Sequence, residues 1–156
     1  MSLEKTYALI NLESTDNLGE KSPLHVTLTP PVQLSDEAAG SFVHSLENEL
    51  ASVRPFTIVG GEEDQFGPHE TPVRVRKLVR SAEILDLHMR ALHALADVTD
   101  AVDMTYVGKN YRPHSTYLGD YGLEEHETRL VRAVEVLRKF GGKWTSLAQI
   151  SLEGEA

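Results

Sequence analysis

The chain has 156 residues, 40% of them apolar and 25% charged, with a formal net charge of −9 and no cysteine. That length fits one domain with a core of its own, neither disordered nor fibrous. The missing cysteines exclude disulfides and thiolate metal sites and suit a reducing, cytoplasmic setting, while the acidic balance disfavours binding along a nucleic-acid duplex. A small phosphorylated molecule in a locally basic pocket stays compatible with that balance. The opening "MSLEKTYALINLEST" has no basic flank before a long apolar run, so no signal peptide is expected. No stretch reaches the ~20 apolar residues of a membrane span.

"TYALINL" (6–12) and "LHVTL" (24–28) read as strands, joined by the polar connector "ESTDNLGEKSP". Ser35 then caps a helix whose acidic start, Asp36 and Glu37, suits the helix dipole. Ala39, Phe42, Val43, Leu46 and Leu50 recur at helical spacing, and Arg54-Pro55 stops the run. "FTIVGG" begins a strand, "EEDQFGPHETP" reads as a loop, and "VRVRKLV" (73–79) alternates as a strand. Ser81 caps a second helix with Ile84, Leu85, His88, Leu92 and Leu95 on one side. "MTYVG" and "HSTYL" read as strands. Leu130, Val134 and Leu137 then predict a third helix, 124–140, closed by Gly141-Gly142 in the left-handed region. "WTSLAQISL" closes the chain as a strand.

Two segments repeat an order of elements. His25 is followed by a turn, an amphipathic helix and a strand opening on Phe56; His114 is followed by the same predicted order, ending at Trp144. The offsets are 31 and 30 residues, and both strands run into acidic sequence, "GGEED" and "LEGE". This predicts a diverged internal duplication: one domain, 1–156, of two similar halves with motif-bearing segments about 24–61 and 113–152. Chance likeness is the competing reading, since helix-then-strand is a common order.

His-x-Thr occurs at His25, His69, His114 and His126. His69 lies in a Gly-Pro loop with no strand to orient it. His126 falls in the predicted third helix, where a residue two positions on points about 200° away. Only His25-Val26-Thr27 and His114-Ser115-Thr116 sit on predicted strands, where alternation sets histidine and threonine on one face, roughly 7 Å apart. The plainer reading is a half-buried histidine beside a common strand former. A zinc site built from His25, His114 and His69 lacks close ligand spacing. His88 and His93 read as structural or surface residues, and His44 as solvated.

Two His-x-Thr strands, one in each half of an α+β chain of this size, resemble the two-histidine (2H) phosphoesterase superfamily. That group includes the LigT-like 2′-5′ RNA ligases and cyclic phosphodiesterases. The resemblance runs from about Thr6 to Leu152 and rests on "LHVTL" and "PHSTYL" with their spacing; Pro113 and Ser115 stand where the family usually has apolar residues. It implies a two-lobed, duplicated α+β fold. Antiparallel sheets would line a central cleft with helices packed outside, and each lobe would bring one histidine and one threonine. Imidazole, with a reference pKa near ~6.5, can act as base on one side of phosphorus and as acid on the other. Threonine hydroxyls can hold the non-bridging oxygens. His25 and His114 are thus the expected acid/base pair, and Thr27 and Thr116 the phosphate-binding residues.

Weaker candidates surround them. Lys109 and Arg112 precede the second motif and could reach a phosphate; Arg74, Arg76 and Arg80 share a parity that makes a basic stripe. Tyr7, Tyr111, Tyr117 and Trp144 are possible stacking platforms, with Trp144 also a core candidate. The expected function is a metal-independent, cofactor-free phosphodiesterase, monomeric and cytoplasmic. Its substrate would be a small RNA end or nucleotide, such as a 2′,3′-cyclic phosphate or a 2′-5′ or cyclic oligonucleotide linkage. A non-catalytic binding module for a nucleotide or RNA end is the alternative, and a metallohydrolase the third class.

Overall fold

The computed structural model describes residues 4–13 and 22–154, so most of the connector "ESTDNLGEKSP" lies outside the described residues. The strands are β1 (Lys5–Asn11), β2 (His25–Thr27), β3 (Phe56–Phe66), β4 (Val73–Leu78), β5 (His114–Thr116), β6 (Thr128–Val131), β7 (Ala133–Phe140) and β8 (Lys143–Ser151). Two helices, α1 (Asp36–Leu50) and α2 (Ala82–Ala96), follow β2 and β4. Both start at the predicted caps. Ser35 Oγ accepts from the Ala38 amide at 3.1 Å, and Ser81 Oγ from the Ile84 amide at 3.2 Å. Each hydroxyl satisfies a donor that the first helical turn leaves unpaired.

The strands form one antiparallel sheet in the order β6-β3-β4-β5-β2-β1-β7-β8, and with two helices the architecture is α+β. A single residue separates β6 from β7, although they stand at different places in that order. The main core fills one face of the sheet. Ala8, Ile10, Val26, Ile58, Val134 and Ile150 pack there with Phe42, Leu46 and Leu50 of α1 and Ile84, Leu87 and Leu95 of α2. Apolar burial on this scale is the main driving force for such a fold.

Three expectations are corrected. The third helix is absent: residues 128–140 form β6 and β7, and Gly141 and Gly142, at φ 59° and 79°, make the two-residue turn into β8. Positive φ at both central positions matches the twist of a tight hairpin, so this Gly-Gly pair is a turn signal and no helix cap. The helical spacing misled because β7 is buried on both faces. Val134 and Val136 enter the main core, while Leu137 joins Leu9, Trp144 and Tyr7 on the other side. The helix-for-helix likeness between the segments after His25 and His114 therefore does not hold. "MTYVG" is no strand but irregular chain leading into a 3-10 turn, Gly108–Asn110. Finally, β3 continues through "EEDQF", read as loop, because an irregularity between Gly60 and Glu63 lets it keep pairing with β4.

Ser115 faces the core side, fully buried, with no hydrogen-bond partner for its hydroxyl. An unsatisfied buried hydroxyl costs roughly 1–3 kcal/mol. Ser115→Ala is expected to be neutral or to raise stability by about 1 kcal/mol in urea denaturation; a loss of that size would show that the hydroxyl has a partner.

Candidate active site

β2 and β5 lie side by side near the middle of the sheet, paired antiparallel through Val26↔Ser115. Val26 and Ser115 point into the core, so alternation turns His25, Thr27, His114 and Thr116 to the opposite face. The register sets His25 across from Thr116 and Thr27 across from His114. Directly opposed Cβ atoms stand about 4.5–5.5 Å apart and diagonal ones about 7–8 Å. The two imidazoles thus occupy one diagonal of a square and the two hydroxyls the other. Residues as far apart in the chain as His25 and His114 form one patch.

Each ring is aimed by its own backbone. His25 Nδ1 lies 2.7 Å from Pro23 O, and His114 Nδ1 lies 2.6 Å from Arg112 O. A carbonyl only accepts, so both Nδ1 atoms carry hydrogen and the neutral rings present an unprotonated Nε2. His25 stands 6.1 Å from the Trp144 ring, which in turn lies 5.3 Å from the Tyr7 ring at a tilt of 33°. His114 meets the Phe66 ring edge-on at 4.7 Å. Burial holds both imidazole pKa values below the usual 6.5; the bond to Pro23 O opposes this for His25 and the bond to Arg112 O for His114. Weaker repulsions add to the lowering: His114 acts on His25, and Arg112 on His114.

The surrounding strands extend the patch. Lys77 of β4 lies directly across from His114, and Asn11 of β1 directly across from His25. Asn11 is committed to Glu135, which is 2% exposed and accepts from Asn11 Nδ2 at 2.7 Å and from Ser146 Oγ at 2.9 Å. Beside Thr27 and His114 opens a hollow of about 220 Å³, walled by Leu28, Pro30, Tyr111 and Tyr106, with Asp103 and Arg112 also lining it. Arg112 is clasped between the Phe66 and Tyr106 rings, 4.2 Å from each centroid. Lys77, Phe66, Tyr106 and Asn11 were not picked out by sequence. The odd parity of Lys77 within "VRVRKLV" was the available signal for the first of them.

Other sequence candidates fall elsewhere. Arg74 and Arg76 share parity with the core side of β4, away from the histidine patch. Arg74 pairs with Glu63 at 2.8 Å and lies over the Tyr117 ring, while Arg76 donates to Leu123 O, Gly61 O and Tyr117 Oη. Tyr117 is 7% exposed and gives its own hydroxyl hydrogen to Leu123 O. A Cβ on Gly122 would sit 1.5 Å from that ring, so glycine is what admits it. Arg80 bonds Tyr111 O. Tyr111 borders the hollow, but its hydroxyl donates to Thr27 O at 2.7 Å and its ring stacks on His88 at 3.8 Å, which braces β2. Burial pushes that phenol above its usual pKa. Lys109 is exposed in the 3-10 turn. Tyr7 does share the His25 face, its ring tilted against Trp144.

The remaining histidines separate cleanly. His88 is a satisfied core residue, bonded to Leu28 O and accepting from the Gly108 amide. His44, His69, His93 and His126 are exposed, His126 in a turn at φ 68°. Among the described residues no group of three or more His, Asp or Glu is placed to hold a metal ion, and no helix is long and apolar enough to cross a membrane.

A paired His-x-Thr patch at the centre of an antiparallel sheet defines a two-histidine phosphoesterase fold. The chain belongs to the 2′-5′ RNA ligase superfamily, whose profile matches residues 6–154. Among solved structures it is similar to the TT0787 protein of Thermus thermophilus, at 15% identity and a TM-score of 0.72, covering 97% of this chain and 100% of that one. It is similar to apo LigT of E. coli at 13% identity and a TM-score of 0.65, covering 97% and 98%. LigT complexed with 3′-AMP gives 13% and 0.62, covering 97% and 99%. At such identities the likeness is one of fold. No curated protein matches the chain by sequence.

Because folding lowers the pKa of His25, His88 and His114, the unfolded chain takes up their protons first as pH falls. The stability linked to them is full above ~6.5 and drains as pH drops through that value. Histidine titrations followed by NMR are expected to place His25 and His114 below 6.5 in the free protein; a midpoint above it for either contradicts the burial seen here.

Proposed function

We propose that the chain is a metal-independent phosphodiesterase acting on a small RNA-end or nucleotide substrate by two-histidine acid/base catalysis. The observation that carries this reading is the diagonal placement of two imidazoles across two hydroxyls on one accessible face. A tetrahedral phosphate seated over that square meets a nitrogen at opposite corners and a hydroxyl at the other two. His25 and His114 are the catalytic pair; Thr27 and Thr116 donate to the non-bridging oxygens and hold their charge through the transition state. In hydrolysis of a 2′,3′-cyclic phosphate, one neutral Nε2 takes a proton from the attacking water. The P–O bond to water forms as the bond to one ribose oxygen breaks, and the other ring, as imidazolium, protonates that oxygen. With a ribose 5′-hydroxyl attacking in place of water, the same proton transfers form a linkage. Every proton has a donor and an acceptor among these residues, so no step calls on a metal.

The lowered pKa values leave both rings mainly neutral before substrate arrives. A bound phosphate raises whichever ring it contacts, because opposite charge favours the protonated form, and so supplies the acid. We further assign the sheet to two four-strand halves, β6-β3-β4-β5 and β2-β1-β7-β8, meeting at the β2–β5 seam. The motif segments about 24–61 and 113–152 each contribute one strand of that seam. The hollow beside Thr27 and His114 suits a base, being walled mainly by Leu28, the prolines and two tyrosines. LigT structures with 3′-AMP, ATP and NADP+ accord with a compact nucleotide ligand. The net charge of −9 favours such a ligand over long duplex, and a monomer completes the reading.

Turnover of 2′,3′-cyclic nucleotides and of 2′-5′ and cyclic oligonucleotides tests the reading. Activity is expected to persist in chelator and to fall roughly 10²–10⁴-fold in His25→Ala and in His114→Ala. Binding without turnover of any substrate would make this a binding module, and loss in chelator a metallohydrolase. The kcat/KM profile is expected to peak on the acid side of ~6.5 and decline toward alkaline pH, since the reaction needs one proton on the pair and both free rings are shifted below that value. A peak well above neutrality contradicts the assignment.

A further inference from the structure

Arg112 is exposed, yet its guanidinium is fixed by the flat faces of Phe66 and Tyr106, 4.2 Å from each centroid. Among the described residues it makes neither an ion pair nor a side-chain hydrogen bond. Arg74, Arg90, Arg129 and Arg138 all pair with carboxylates. Ring faces hold a guanidinium without using its N–H groups, so its five donors stay available at the edge. Its place is close to the patch. Phe66 also touches His114 at 4.7 Å, so the guanidinium carbon is no farther from the His114 ring than those two spans laid end to end. The field of Arg112 on His114 is consistent with that nearness. On the same side, Lys77 stands directly across the sheet from His114.

Lys77, Phe66, Arg112 and Pro113, the residue before His114, line a hollow of about 470 Å³. Glu62 and Asp64 line it too, but Asp64 is already balanced by Lys77 at 3.6 Å, and Arg80 is turned to Tyr111 O. The other end of the diagonal differs: His25 has Trp144 beside it and Asn11, engaged by Glu135, across from it. Lys139 lies 5.4 Å from the Trp144 ring at that end, while Arg112 is the guanidinium beside His114 that has no carboxylate partner among the described residues.

We infer that Arg112, with Lys77, forms a second anion subsite beside His114 that takes a phosphate one ribose away from the scissile one. This rests on the phosphodiesterase reading and narrows its substrate class to nucleotides phosphorylated on both sides of the reacting ribose. The second phosphate is either a terminal 5′-phosphate or the diester linking an upstream nucleotide. A rigid guanidinium edge suits either, because it offers paired donors to two phosphate oxygens.

Calorimetric binding of three product-like ligands tests it without any need for turnover: a nucleoside 3′-phosphate, the same nucleoside 3′,5′-bisphosphate, and a dinucleotide ending in that 3′-phosphate. The wild-type chain is expected to bind at least one of the last two about tenfold or more tightly than the first, the scale of one charge-assisted contact. Whichever gains the advantage names the source of the second phosphate. The advantage is expected to shrink with added salt, to fall within about twofold in Arg112→Gln, and to drop partway in Tyr106→Leu, which loosens the guanidinium but leaves it present. Should Arg112→Gln fail to fold, the wild-type and Tyr106→Leu comparisons still decide. Equal binding of all three ligands, or an advantage that survives both variants, overturns the inference. No advantage in the wild-type chain with turnover intact sinks the subsite alone; an advantage in the wild-type chain with no turnover sinks the phosphodiesterase reading alone.

Discussion

One backbone pairing, Val26 against Ser115, sets both His-x-Thr pairs on one face of the sheet. A strand's side chains alternate, so slipping β2 against β5 by one residue would set His25 and Thr27 out of line with His114 and Thr116. The sheet guards that register from both sides. β1 pairs with β2 through Leu9↔Thr27 and Asn11↔His25, and β4 pairs with β5 through Lys77↔His114 and Val75↔Thr116. Val26 is locked in the main core, and Tyr111, part of the same core, ties β2 by its bond to Thr27 O. Two three-residue strands could not hold a geometry alone. Their neighbours hold it for them.

Ring orientation follows the same logic at smaller scale. Each histidine is bonded through Nδ1 to the carbonyl two residues earlier, Pro23 or Arg112, so one local device serves both ends of the diagonal. Burial then lowers the pKa of both rings, which favours their neutral form. The surroundings break the symmetry. Trp144 and Tyr7 give the His25 side an aromatic wall, whereas Lys77 and the clasped Arg112 give the His114 side its charge. The two ends of the diagonal therefore differ in their surroundings.

Much of this was legible in the sequence because it rests on local signals. Ser35 and Ser81 announce their helices by capping chemistry, and short β-rich runs announce β1, β2, β4, β5 and β8. The His-x-Thr pairs on strands could be told from those at His69 and His126 by context alone. What failed was whatever depends on partners remote in sequence. β7 lost its alternation because both its faces are covered, and Glu135, inside the span read as a third helix, is buried and bonded to Asn11 and Ser146. The arginine stripe of β4 was correctly placed on one face, but only the register with β5 tells which face looks at the histidines. It is the face of Lys77. Arg112 was visible as a charge, yet the rings that hold it come from β3 and from the loop before the 3-10 turn.

The most direct measurement is a crystal structure with a nucleoside–vanadate complex, which mimics the five-coordinate phosphorus of the displacement. The expected result has vanadate oxygens within about 3 Å of Nε2 of both His25 and His114 and of both threonine hydroxyls. Vanadate seated elsewhere, or touching only one of the two histidines, contradicts the shared square on which the account is built.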